Sequence, residues 1–209
     1  MIEHRFYHEV LAPFIRFRAR SAENVCVQEQ NNDVIVLAQE AATAAYHFPE
    51  AVRGKPTPVD NSAVETLRQK LGDVVDSRKH GTLRAPERQV SLSAALAYEV
   101  NDADEFRYLG TQIWANNKRF GSFELGNTIE LFIEEIRRGM SIKITSQLEF
   151  PSYPFSKKIV TYVTDKTFYA KNTGLRFFKR AGDGSLLPAD PESVEFEVCE
   201  LVQSGQPAG

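Results

Sequence analysis

Apolar positions recur at helical spacing through the first eighty residues and then shift towards alternation, which predicts helices followed by strands. Residues 1–12 are mixed in pattern, and Pro13 starts or kinks a first helix that carries Phe14, Phe17, Ser21, Ala22 and Val25 on one face. Residues 34–48 form a second helix, with Asp33 as its N-cap and Val34, Leu37, Ala38, Ala41, Ala45 and Phe48 on its apolar face. Pro49 and the Arg53–Pro58 stretch are expected to end it in a loop. The third helix, 62–80, opens on Ser62 with Glu65 three residues on, buries Val64, Leu67, Leu71, Val74 and Val75, and stops at Gly81. Gly72 interrupts this stripe, where alanine would favour the helix by about 1 kcal/mol, and so marks a close crossing with the alanine-rich helix.

After Pro86 the pattern predicts strands at 90–100 and 106–115 around the polar turn 101–105. A further helix at 128–138 is expected, capped by Asn127 and closed by Gly139. Strands at 141–149, 157–164, 175–179 and 193–201 complete the chain, with a disordered tail at 204–209. The expected fold class is therefore α+β. An N-terminal helical bundle (1–88) is followed by a mostly antiparallel β-rich portion (89–203), packed together as one unit.

The chain has 209 residues, 42% hydrophobic and 25% charged, enough for a core that needs no covalent staples. A net charge of −3 gives no overall basic field, so any polyanion-binding surface must be local. Cys26 and Cys199 show no metal or redox spacing, the N-terminus lacks a signal-type apolar run, and no stretch is long enough to span a bilayer. A cytoplasmic protein is expected. No phosphate-binding glycine loop, Gly-x-Ser-x-Gly elbow or zinc-finger spacing is present.

Candidate chemistry gathers at the end of the 62–80 helix. At about 100° per residue, Asp73, Asp76 and His80 share a strip opposite the apolar stripe, and Glu40, Thr43 and His47 share one on the preceding helix. Antiparallel packing would let Asp73, Asp76, His80, Glu40 and His47 converge on a divalent metal. Without a metal, His80 or His47 would act as general acid–base with Asp76 orienting it. No other cofactor is expected. Arg78, Lys79, Arg84 and Arg88 form a basic loop that Lys118 and Arg119 extend, a set suited to phosphate or to an acidic protein partner. Reversing Arg84 and Arg88 should abolish partner binding without changing the melting temperature.

Residues 34–83, with Ala-Ala-Tyr-His47-Phe-Pro-Glu50 ending one helix and Asp76-Ser-Arg-Lys79-His80-Gly81 ending the next, resemble prokaryotic HEPN-like helical proteins. The resemblance implies a helical bundle that dimerises and serves defence or toxin–antitoxin systems, as a metal-independent ribonuclease or as a non-catalytic module binding protein or RNA. The ribonuclease signature of that superfamily, an arginine four to six residues before a histidine, is missing. Arg78 is too close to His80 and Arg68 too far, Arg20 is the nearest arginine before His47, and His4 and His8 have only Arg5 near them. The expectation is thus an interaction module, with a ribonuclease using His80, His47 and Asp76 as the alternative.

Overall fold

A computed structural model describes residues 2–24, 28–53, 62–144, 151–163 and 174–200. The α-helical segments among the described residues are α1 (Ile2–Phe6), α2 (Ala12–Ser21), α3 (Gln28–Arg53), α4 (Ser62–His80) and α5 (Leu125–Gly139). The strands are β1 (Ser91–Val100), β2 (Phe106–Asn117), β3 (Gly121–Glu124), β4 (Lys158–Val163), β5 (Gly174–Arg180), β6 (Leu186–Ala189) and β7 (Glu195–Glu200). The fold is α+β, as expected from the change of period. The sheet is mixed, however, and the helices are not confined to the N-terminal part, because α5 follows β3. One sheet has the order β3-β2-β1-β5-β6 and a separate pair joins β4 to β7. The β1–β5 and β4–β7 pairings are parallel, whereas β2–β3 and β5–β6 are antiparallel. Alternation fixes which face a residue takes but says nothing of strand direction, so the two parallel pairings lie outside what the pattern could predict.

The chain divides into two compact units. The first comprises Met1–Ser21, Val34–Ser93 and Gln112–Phe150, and the second Ala22–Asp33, Ala94–Thr111 and Pro151–Gly209. The division falls inside β1 and β2 rather than at one point of the chain.

In the first unit a π-helical turn, Tyr7–Leu11, joins α1 to α2, with the Ala12 N–H bonding back to the Tyr7 carbonyl. This wider turn comes immediately before Pro13, which has no N–H to give the helix ladder. The alanine-rich helix begins earlier than residue 34 and runs through Pro49 to Arg53, so neither Asp33 nor Pro49 bounds it. Val34, Ala38, Ala41, Ala45 and Phe48 are buried as their spacing predicts. A side chain at Gly72 would meet the Tyr46 ring at 3.1–3.3 Å, so α3 and α4 do cross closely there. Glu40 meets Arg78 at 3.9 Å while Tyr46, further along α3, meets Gly72, further back along α4, so the two helices run antiparallel. Gly81 has φ +67° and its N–H caps Ser77, the left-handed stop expected at the end of α4.

Helix α5 starts at Leu125 rather than at 128, and its cap is Glu124 instead of Asn127. The Glu124 carboxylate accepts the N–H groups of Gly126, at 2.9 Å, and Asn127. Burial pushes the Glu124 carboxyl up, against these two backbone donors that pull it down. Ile129, Phe132, Ile133 and Ile136 are buried, as expected.

The second unit holds a core of Leu96, Tyr98, Val100, Phe106, Tyr108 and Ile159, with Tyr153, Phe177 and Val194 packed on it. Within it the Glu99 carboxylate receives Arg107 at 2.5 Å and Arg180 at 2.8 and 2.9 Å. The polar turn 101–105 and the Gly182–Gly184 turn fall where the sequence puts them, closed by Asn101 N–H to Glu105 O at 3.1 Å and Ala181 N–H to Ser185 O at 2.8 Å. Residues 141–144, expected to start a strand, are not in one, while 145–149, Cys26, the 54–58 loop and the 204–209 tail lie outside the described residues. Among the described residues no helix is long and apolar enough to cross a membrane.

Candidate functional site

The predicted site residues lie in the first unit: Glu40 and His47 on α3, and the rest on the second half of α4, the loop 81–89 that follows it, and the β2–β3 turn. Gln89 closes the loop on itself, donating to Gly81 O at 2.9 Å and accepting the Leu83 N–H at 2.8 Å. The Val90 N–H bonds the Ser77 hydroxyl at 2.9 Å, which ties the loop's exit to α4. The β2–β3 turn docks beside it, with the Arg119 N–H on Glu87 O at 3.1 Å and the Phe120 N–H on the Asn117 side chain at 2.7 Å. The Lys118–Arg119 pair therefore does extend the basic loop in space.

Asp73 sits at the centre of this junction and does not face solvent with Asp76 and His80. It is fully buried. Its carboxylate receives Arg88 Nε at 2.6 Å and the Asn117 amide at 3.0 Å, with Arg119 at 3.8 Å. The same Arg88 guanidinium gives its other edge to Asp76 at 2.6 Å. One arginine thus bridges two carboxylates on adjacent turns, and the hydrogen bonds it donates to both raise the Arg88 pKa. A carboxylate buried in this way needs paired donors to offset its desolvation. The helical wheel predicts a shared strip because it knows nothing of a loop folding back over that strip.

This arrangement corrects the expected chemistry. Asp76 is held by Arg88 and is not placed to orient His80. The His80 ring is exposed and carries no hydrogen bond or ion pair among the described residues. His47 faces Glu50 on its own helix at 3.8 Å, and Glu40 faces Arg78. Asp73, Asp76, His80, Glu40 and His47 do not converge, and among the described residues no group of three or more His, Cys, Asp or Glu side chains could hold a metal ion. Arg88 is a structural cation rather than a free phosphate ligand, while Arg119 donates to the Gln69 side chain at 2.6 Å and stays exposed, with only a long contact to Asp73.

Arg78, Lys79, Arg84, Lys118 and Arg119 are exposed. Lys79, Arg84 and Lys118 have no acidic partner among the described residues, and Arg78 has only the long contact to Glu40. Sequence reasoning missed one neighbour of this group. Phe120, half-buried in the docked turn, lies 4.9 Å from the Arg119 guanidinium and 6.0 Å from the Lys70 ammonium. Its signal was present in the run Asn-Asn-Lys-Arg-Phe, where an aromatic residue follows two cations in a turn. Beside the loop a hollow of about 230 Å³ opens, with Gln39, Ser77, Arg78 and Gln89 among its walls.

Fold and site together define an α+β protein with a local cationic surface on a rigid, acid-anchored loop. Compared with protein-family models, curated proteins and solved structures, the chain matches none.

Proposed function

We propose that the first unit is a non-catalytic, HEPN-like interaction module of the kind used in prokaryotic defence or toxin–antitoxin systems, and that it binds single-stranded RNA at the surface formed by the 78–88 loop and the β2–β3 turn. The observation that carries this reading is the division of labour among the cations. Arg88 is spent on the buried Asp73 and on Asp76, which ties the loop to α4, while Lys79, Arg84 and Lys118 are left exposed with no acidic partner among the described residues. Preorganised cations suit phosphates, whose charge dominates nucleic-acid affinity. Phe120 among them suits an unpaired base, which stacks on aromatic rings in single strands and is hidden in duplexes. An acidic protein would use the same cations with no need of the ring. The HEPN-like part of the reading rests on the resemblance of residues 34–83 alone.

The ribonuclease alternative has no comparable support, since Asp76 is engaged by Arg88 and neither His47 nor His80 is paired with it. The test is binding of a short unstructured RNA to the parent and to Lys79→Glu, Arg84→Glu and Lys118→Glu. Each substitution should weaken binding and leave the melting temperature in place, and the RNA should be recovered uncut. Equal binding by the triple variant would overturn the reading. Cleavage lost in His80→Ala would replace it by the enzyme.

A further inference from the structure

The second unit carries an open cavity of about 540 Å³ that the RNA reading leaves unused. That volume lies within the range of small-molecule sites. Its walls are mainly rings and aliphatic groups: Tyr98, Phe106, Tyr108, Tyr153 and Ile159. The rings are fixed against one another, Tyr98 to Tyr108 and Tyr108 to Tyr153 each at 5.5 Å between centroids. Two of the tyrosine hydroxyls are committed elsewhere. Tyr153 Oη donates to Ala22 O at 3.0 Å and accepts the Asn24 N–H at 3.1 Å. Tyr108 Oη bonds Glu23 O at 3.1 Å and the Thr111 hydroxyl at 2.9 Å. These bonds pin the segment Ala22–Asn24 as one wall, and Phe106 is doubly paired with Ser156 through the backbone at 2.7 and 2.9 Å.

Since the Tyr108 and Tyr153 hydroxyls are spent on the protein's own backbone, these residues offer an occupant carbon and π surface rather than hydrogen bonds. Besides the ring hydroxyls, the polar side chains of the lining are those of Asn24, Ser156, and the oppositely charged Glu23 and Lys158. Lys158, itself half exposed, is paired with the exposed Glu195 at 3.6 Å. We infer that this cavity is a binding site for a flat aromatic or heteroaromatic molecule with one polar edge. Edge-to-face and offset contacts with fixed rings favour such a body over a saturated one of equal size.

The full chain, labelled on tyrosine rings and on isoleucine and valine methyls, is titrated by NMR with 2-naphthol and with its saturated analogue 2-decalol. The inference requires saturable shifts from 2-naphthol at Ile159, Val160 and the rings of Tyr98, Tyr108 and Tyr153, and binding at least about fivefold tighter than that of the saturated probe. Tyr153→Leu keeps apolar volume and removes a ring, and should erase most of that preference. Equal affinities for the two probes, no saturation, or shifts confined to other parts of the chain would overturn the inference. The probe comparison on the parent protein decides the matter even where Tyr153→Leu folds poorly.

Discussion

Arg88 shows how one side chain changes role once its surroundings are known. Read in sequence, it belongs with Arg84 as an exposed phosphate ligand. In the fold it closes over Asp73 and Asp76 at 2.6 Å each. Reversing Arg84 and Arg88 together would therefore confound binding with folding, and the two must be separated. Arg88→Ala should cost about 2 kcal/mol, below the usual range for breaking a buried pair because the guanidinium is partly screened by solvent and Asn117 and Arg119 stay on Asp73. Urea denaturation checks this, and Arg84→Glu measured beside it should leave the midpoint in place. Glu99 supplies a second residue-level prediction. Hydrogen bonds from Arg180, and then from Arg107, hold its carboxyl below the usual glutamate range despite its burial. The charged form is thus favoured in the folded state, so its stabilisation is fully present above the usual glutamate pKa and is lost as pH falls through the lower folded value. Glu99→Gln should be less stable than the parent at neutral pH, and the gap should close in acid, read from denaturation midpoints between neutral pH and about pH 3.

At the level of elements, the crossing of α3 and α4 is the feature that the sequence declares and the structure places. Gly72 interrupts an apolar stripe, and the ring of Tyr46 fills the space that its missing side chain leaves, at 3.1 Å. Gly72→Leu should destabilise by about 1–3 kcal/mol through overpacking. Pairing it with Tyr46→Ala should recover part of that loss, and a double-mutant cycle that returned strict additivity would mean the two sites are uncoupled. What was legible here was legible for local reasons. The buried faces of α3, α4 and α5, the stop at Gly81 and the turns at 101–105 and 182–184 are all written in spacing or in turn residues. What was missed depends on contacts far apart in the chain. The parallel β1–β5 pairing joins Ala95 to Gly174, a partnership no local pattern encodes. Likewise the short strands β3 and β6 carry four residues each, too few for a period to show. The Glu124 cap escaped because Asn127 is the more usual cap type and lies in the same run. The site follows the same division. Its basic character was legible from residues 78–88 and 118–119, whereas the burial of Asp73 was not, because it takes a loop fifteen residues on and a turn forty-four residues on to cover it.

For the whole molecule, a net charge of −3 means that attraction to a polyanion must come from a local surface rather than from the protein's overall field. That has a measurable signature. Three to four phosphate contacts on a single strand give a log–log salt slope of about −2 to −3, and each lost cation lowers its magnitude by about 0.7. Removing Phe120 should act differently, weakening binding at every salt concentration without changing the slope, since a ring releases no counterions. The central claim is that Lys79, Arg84 and Lys118 form one surface for single-stranded RNA on a scaffold fixed by Asp73. The measurement that tests it most directly is the salt dependence of RNA binding by the parent, Lys79→Glu, Arg84→Glu, Lys118→Glu and Phe120→Ala, with melting temperatures taken on the same samples. The account predicts shallower slopes for the three charge variants, an unchanged slope at reduced affinity for Phe120→Ala, and equal melting temperatures throughout the charge series. Affinity and slope unaltered by all three charge reversals would contradict it.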